Sequence, residues 1–504
     1  MTTPAEPAGD IDPPPTVDVR LLPAALAAWV AALVVVLVPP ESAITAAATC
    51  LALASAGLAL ARRVAWTALV ALALIAGSAV LGAGAGQTAA RGDGLLPELV
   101  REGAVGRVEG MVVAEPVLLP PAWPGAPARV RCLLAVDRVT AGGRGSGATG
   151  QVLVLGPPSW AEVPYGARVA AAGTLRAAEP GRRTVAVLLS SGAPDLLHPP
   201  PRADAAAAAF RDGVQSLAAT LPADAGALLP GITVGETTAL PDDLRASLRT
   251  AGLTHVTAVS GAHFSIVAAL VLGLASAVRL PRPARVSLTV VAMATMVLVV
   301  HPSPSVLRAA AMGLVAMLGV LVGRPHRAPA ALAATVVVLL VADPWLAAEL
   351  GFVLSVLATG GLVLLGAPLA ERWSPALGRP VATVLALPVA AQLVCAPVVL
   401  LLTPAVALYA VPANVLVAPA VAPATVLGLA AGALAPWWSD GAQVLALGAG
   451  AACWWIGAVA RVAAAAPGAQ VEWLPGWAGV TVLAVATVCA MRVLGLGAAA
   501  PERG

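Results

Sequence analysis

Hydrophobic positions in this chain come in long unbroken runs. Apolar stretches occupy residues 21–38, 43–61 and 64–86, stop, and resume at 256–278, 286–300, 306–323, 328–341, 351–370, 381–402, 405–435, 442–462 and 477–494. A hydrocarbon layer about 30 Å thick takes about 20 residues of apolar helix to cross. Runs of this kind therefore predict about twelve transmembrane helices. Between the two sets the texture changes. Short β-type runs at 105–113, 130–139, 151–155, 168–175 and 184–189 are separated by turns such as Pro120-Pro121 and Gly142-Gly143. Five short strands with Pro- and Gly-rich punctuation suit a small closed sheet of the OB type. Two amphipathic helices, 203–220 and 241–251, follow and are expected at the membrane interface or packed on the spans.

The expected fold is a polytopic α-helical membrane protein with an inserted small extracytoplasmic β-barrel, OB-like. Its divisions are a disordered tail at 1–20, three helices in 21–86, the β domain at 91–201, amphipathic helices at 203–252, a second transmembrane domain at 253–495 and a cytoplasmic tail at 496–504. Arginines in loops set the orientation. Arg62-Arg63, then Arg279, Arg282 and Arg285, then Arg324 and Arg327, then Arg372 and Arg379, and Arg492 with Arg503 fall on one side. His301, Asp343, Glu349 and Glu472 fall on the other. Basic loops stay in the cytoplasm, so both termini are expected inside the cytoplasmic membrane and the β domain outside. No cleavable signal peptide is expected, because the start lacks a positive n-region. The stretch 405–435, broken by prolines, is where the count of crossings could shift by one.

Composition agrees with the lipid setting. Apolar residues make up 59% and charged residues 11% of the 504, against about 25% charged in a typical soluble protein. A net charge of +3 is too small to argue for a nucleic-acid partner on bulk charge alone. The five cysteines show no CxxC or CxxH spacing, and the five histidines form no HExxH or HxHxDH cluster. Neither a metal site nor another cofactor is expected. No GxxxxGK[ST] loop is present, so the chain is not expected to be an NTPase, nor an enzyme of another kind.

Few polar groups interrupt the apolar frame. His255, Ser260, Gly261 and His263 sit at the entrance of the 256–278 run. An ionisable group in a span ordinarily faces protein or an aqueous path. A channel gate or polar lining is one reading; a packed interface with satisfied histidines is the other. Arg308 enters the next span but one, to snorkel at the interface or to turn inward toward phosphates. Gln392 and Asn414 lie inside long apolar runs, where interhelical hydrogen bonding is their ordinary role. Pro388, Pro397, Pro412, Pro419 and Pro423 crowd the same region, as in spans that line a cavity. In the β domain Arg129, Arg131, Trp123 and Trp160 are weak candidates for holding a single strand by charge and stacking; a docking or scaffolding role is the alternative.

The motifs Pro230-Gly231-Ile232-Thr233-Val234-Gly235-Glu236, Leu253-Thr254-His255 and Val259-Ser260-Gly261-Ala262-His263 resemble the ComEC/Rec2 competence proteins, inner-membrane channels for DNA uptake. The series continues at Ser305-Val306-Leu307-Arg308, Asp343-Pro344-Trp345, Gly351-Phe352-Val353-Leu354-Ser355, Ala391-Gln392 and Ala413-Asn414. The resemblance implies passage of single-stranded DNA across the cytoplasmic membrane during natural transformation, with the outer barrel receiving DNA. It also implies the lipid bilayer, a DNA receptor outside, a cytoplasmic helicase or ATPase and a second copy of the chain as partners. Many relatives carry a C-terminal metallo-β-lactamase-like domain; with the chain ending at Gly504, strand degradation is expected to fall to another polypeptide. The cysteine pair some relatives oxidise in the barrel is not expected, since the β domain holds only Cys132. Two other classes compete: a solute exporter on the same frame, and an intramembrane serine hydrolase using Ser260 with a histidine at about 2.6–3.2 Å.

Overall fold

The computed structural model describes residues 19–61, 64, 66–121, 123, 125, 127–257, 259–301, 304–321 and 328–493. The expected tails (1–18 of the first, all of 496–504), Arg62-Arg63, Arg324, Arg327 and Arg503 lie outside the described residues.

Three apolar helices open the chain: α1 (Leu22–Val35), α2 (Pro40–Leu60) and α3 (Trp66–Gly92). Pro40 starts α2 at a position whose N–H is not needed, and Glu41 faces the positive helix end. Buried Ala28, Ala32, Ala43, Ala47 and Ala76 let the three backbones approach closely. The third helix runs on past the expected limit to carry Gln87, Thr88 and Arg91.

A short helix α4 (Leu96–Glu102) leads into β1 (Val105–Leu119), β2 (Arg129–Ala141), β3 (Arg144–Gly156), β4 (Arg168–Ala177), β5 (Thr184–Leu189) and β6 (Asp195–His198). Alternation places Val108, Val112, Val130, Leu134, Val152, Val154, Leu175 and Leu188 in one core. Gly142 and Gly143 both take positive φ, which fits the tight β2–β3 hairpin. The pairings β1–β2, β2–β3, β3–β5, β5–β4 and β4–β1 return to their starting strand, with β3–β5 parallel and the rest antiparallel. Strand β6, which has no alternation to announce it, adds to the far side of β4. In β1 the register slips between Ala114 and Val117, so Glu115 lies in a bulge that re-aims its side chain.

Helices α5 (Arg202–Ala218), α6 (Ala223–Val234) and α7 (Asp242–Thr250) follow. The first and third match the two expected amphipathic helices, and α5 packs on α6. Helix α6 has no counterpart in the sequence reading. Past Asp224 in its first turn it is enclosed, with Ala225 and Ala227 to Val234 buried and Leu228, Leu229 and Ile232 fully so, and it therefore shows no solvent face.

The rest is helical: α8 (Gly261–Ala277), α9 (Arg282–Val300), α10 (Pro304–Leu321), α11 (Ala328–Ala342), α12 (Leu350–Gly361) joined through a π turn to α13 (Ala367–Leu377), and α14 (Arg379–Val399). After them come a strand β7 (Ala405–Ala407), α15 (Ala410–Leu434), α16 (Ser439–Ala465), a strand β8 (Gln470–Glu472) and α17 (Gly476–Val493). The proline-broken stretch 405–435 is the short strand β7 and then one helix: α15 continues through Pro419 and Pro423. There α15 lies so close to α6 that a Cβ on Gly428 would run into Thr233. Among the described residues seven helices are long and apolar enough to cross a membrane: α2, α3, α9, the α12–α13 rod, α14, α15 and α16. Shorter apolar helices occupy the remaining expected spans. The chain is thus built as a multi-pass membrane protein.

Candidate functional site

Helix α8 begins at the stretch the sequence singles out. Ser260 is its N-cap, and the His263 ring folds back on it: the Ser260 backbone N–H donates to His263 Nδ1 at 3.0 Å. A neutral ring whose Nδ1 accepts must carry its proton on Nε2. That Nε2–H is buried, and among the described residues it has no acceptor, although His263 is only 1% exposed. A buried donor left without a partner costs about 1–3 kcal/mol. The satisfied-histidine reading therefore holds for half of the ring.

Ser260 Oγ also lies 3.0 Å from His263 Nδ1, inside the range a serine–histidine dyad needs. The same nitrogen already takes the Ser260 N–H, and no carboxylate bonds Nε2 to orient the ring, so the pair is built as a helix cap. Gly261 is not placed by crowding, since a Cβ there would sit 4.0 Å from Ala309. That contact shows what the mouth abuts: the first turns of α10, where Val306 and Ala309 pack with Val259 and Phe264. Arg308 is on this turn and is 3% exposed, its guanidinium carbon 5.4 Å from the Phe352 ring centroid and within electrostatic reach of Glu349. Arg308 therefore turns inward; the snorkelling alternative is not what the fold adopts.

His255 stands on a 3-10 turn, Thr254–Val256, beside the Asn414 side chain and the Gly252 backbone. Asn414 Nδ2 donates to the Ala410 carbonyl one turn back in α15, not to another helix. The fold thus places His255 beside Asn414, and packs the start of α8, with Ser260, Gly261 and His263, on the turn of α10 that carries Arg308. Gln392 is half-buried on α14 and makes no side-chain hydrogen bond among the described residues.

In the β domain the candidates separate. Arg129 and Arg131 are exposed on one face of β2 and form no ion pair among the described residues, whereas Arg107, Arg144 and Arg168 pair with Asp195, Glu98 and Asp137. Trp123 is 65% exposed. Trp160 is fully buried in the domain core, its indole N–H donating to the Gly192 carbonyl at 3.2 Å. Its ring is a core element with no face open to a base, which corrects the expectation of a stacking platform there.

A second polar cluster was not foreseen as a unit. Arg211 of α5 is 5% exposed and bonds Glu236, Glu115 of the β1 bulge, the Val299 carbonyl and His301 Nδ1. Thr238 donates its N–H and hydroxyl to Glu236, and Tyr165 stacks on His301 with centroids 3.9 Å apart. Burial, then the neighbouring Glu236, pushes the Glu115 carboxyl up; Glu236 stays low despite burial because Glu115 and Thr238 donate to it. Burial and the adjacent Arg211 hold His301 down to about 4. Glu236 and His301 were visible as motif and loop residues; their meeting required the fold. Likewise Arg183 of the β domain pairs with Asp343 and Glu349. The loops holding His301 and Asp343 to Glu349 thus touch the β domain, whereas Glu472 lies in β8, paired with β7.

A protein-family model described as "Competence protein" matches residues 232–496, which hold every mouth residue and Gln392, and exclude α1–α3 and the β domain. ComE operon protein 3 of Bacillus subtilis (strain 168) is 30% identical over 144 residues, which is 29% of this chain and 19% of that protein. The match thus spans about a fifth of the relative's length. No solved structure matches. The chain belongs to the competence protein family, ComEC/Rec2.

Proposed function

We propose that the chain passes single-stranded DNA across the cytoplasmic membrane during natural transformation, through a path that begins at the α8 mouth. The unpartnered Nε2–H of His263 carries this reading. It is a buried donor on the first turn of α8, where the positive helix end favours an anion, next to the helix that carries Arg308. A phosphate oxygen moving past would meet a donor that no protein group occupies. Family membership supports DNA as the cargo. The closed circuit of β1–β5 is read as an OB-like barrel, held outside the membrane, with Arg129, Arg131 and Trp123 as the part that meets a strand. Twelve crossings with both termini inside complete the proposal, and Gln392 joins as a wall residue further along. No step calls for a cofactor or bound metal.

The test is a transformable strain deleted for its own channel and complemented with this chain. His263→Ala and His255→Ala are expected to abolish uptake at normal membrane levels of protein. Normal transformation by both variants overturns the site. Labelling of Ser260 by a serine-directed fluorophosphonate would replace the channel reading with a hydrolase, because the 3.0 Å serine–histidine distance is met.

A further inference from the structure

A cleft of about 250 Å³ opens where α1 and α3 end against the β domain, away from the α8 mouth. Val36, Thr88 and Arg91 line it from the helices, Arg182 and Thr184 from the β4–β5 region, and Trp345 closes one side. Arg91 is its central group. The guanidinium carbon lies 3.2 Å from the Trp345 ring centroid, and among the described residues Arg91 makes no hydrogen bond or ion pair. Stacking fixes the plane of a guanidinium and leaves its edge donors pointing outward, an arrangement suited to two oxygens of one phosphate. Arg182 faces it from the opposite wall. Its charge is shared with Glu179 at 3.0 Å on the rim, and Asp343, within electrostatic reach of Arg91, is itself paired with Arg183, so among the lining residues Arg91 is the cation that no ion pair holds.

The surface below the cleft is apolar. Leu22, Leu26, Val30, Leu33 and Leu37 recur at three- and four-residue spacing, are all exposed, and form a stripe along α1 that ends at the cleft. A ligand filling both features has a singly charged phosphate head and a hydrocarbon tail.

We infer that the cleft seats the headgroup phosphate of an anionic phospholipid, with its acyl chains along the exposed α1 stripe. Bound there, the lipid bridges the ends of α1 and α3, the β4–β5 turn and the loop after α11, and so holds the β domain against the helices. The site is independent of DNA passage; the N-terminus-inside orientation only names the leaflet as the outer one.

The purified full chain in neutral detergent, titrated with phosphatidylglycerol and read by native mass spectrometry, tests this. The wild type is expected to retain one phosphatidylglycerol that millimolar inorganic phosphate and a short thymidine oligonucleotide do not displace. Arg91→Ala is expected to weaken retention on the order of tenfold, the loss of a charge-assisted donor pair. Since Arg91→Ala also removes a stacking partner from Trp345, Arg182→Ala on the exposed rim serves as the second variant, with a smaller loss at unchanged melting temperature. Equal retention by the wild type and Arg182→Ala overturns the site. Displacement by inorganic phosphate makes it a free-anion site, and displacement by the oligonucleotide makes it a substrate contact; either overturns the lipid.

Discussion

Two regions of this protein bury a histidine, and they treat the polar atoms in opposite ways. At the junction of the β domain and the helices, Arg211, Glu115, Glu236, Thr238, His301 and the Val299 carbonyl satisfy one another. At the mouth of α8, His263 uses one ring nitrogen to cap its helix and leaves the other bare. A saturated network holds parts together, because breaking it strands a charge. A bare donor contributes nothing to the fold and is retained at a cost, which is the mark of a group kept for something that arrives.

That contrast is easiest to break at Arg211. Arg211→Met leaves Glu236 buried without its cation and is expected to cost about 3–5 kcal/mol, read as a lowered thermal midpoint in detergent with early protease access to the β domain. His263→Ala is expected to cost only about 1 kcal/mol, the value of a helix cap, while abolishing uptake. If the two variants destabilise equally, the mouth is structural and the comparison fails.

Smaller effects come from pH. Glu115 has its folded pKa raised, so its contribution is full below the ordinary carboxylate pKa and is lost as pH rises through the raised value. His301 is lowered from 6.5 to about 4, so its contribution is present above 6.5 and is lost as pH falls through about 4. Protection of the β1 amides, taken relative to intrinsic exchange at each pH, is therefore expected to be greatest in mildly acidic solution and to fall on either side. Glu115→Gln should remove the alkaline limb. His301→Phe, which keeps a ring against Tyr165, should remove the acid one. His301 has φ 67°, a conformation costing about 1–3 kcal/mol that its packing must sustain, so a small general loss accompanies that change.

The smallest changes belong to β2 and the connection that leads into it. Arg131→Gln and Trp123→Ala are expected to leave stability within about 0.5 kcal/mol. If the domain holds a strand, Arg131→Gln should lower the salt slope of oligonucleotide binding by about 1. An unchanged slope would return the β domain to a docking role.

Most of the elements, and the polar residues at the start of α8, were legible in the residue pattern alone. Long apolar runs can only be helices in lipid, and alternating valines can only be half-buried strands, so both appeared nearly where the structure has them. His255, Ser260 and His263 stood out because polar groups are costly in such a frame. Helix α6 escaped because burial on every side erases the periodicity that marks a helix. Trp160 looked like a platform because the sequence does not say that the short turn Pro158–Glu162 folds its ring into the β-domain core. Pairing of β1 with β4 and of β3 with β5, and the meeting of residues 115, 165, 211, 236 and 301, were decided by tertiary structure alone. Each joins segments far apart in the chain, and no local pattern records which distant group a buried charge will meet.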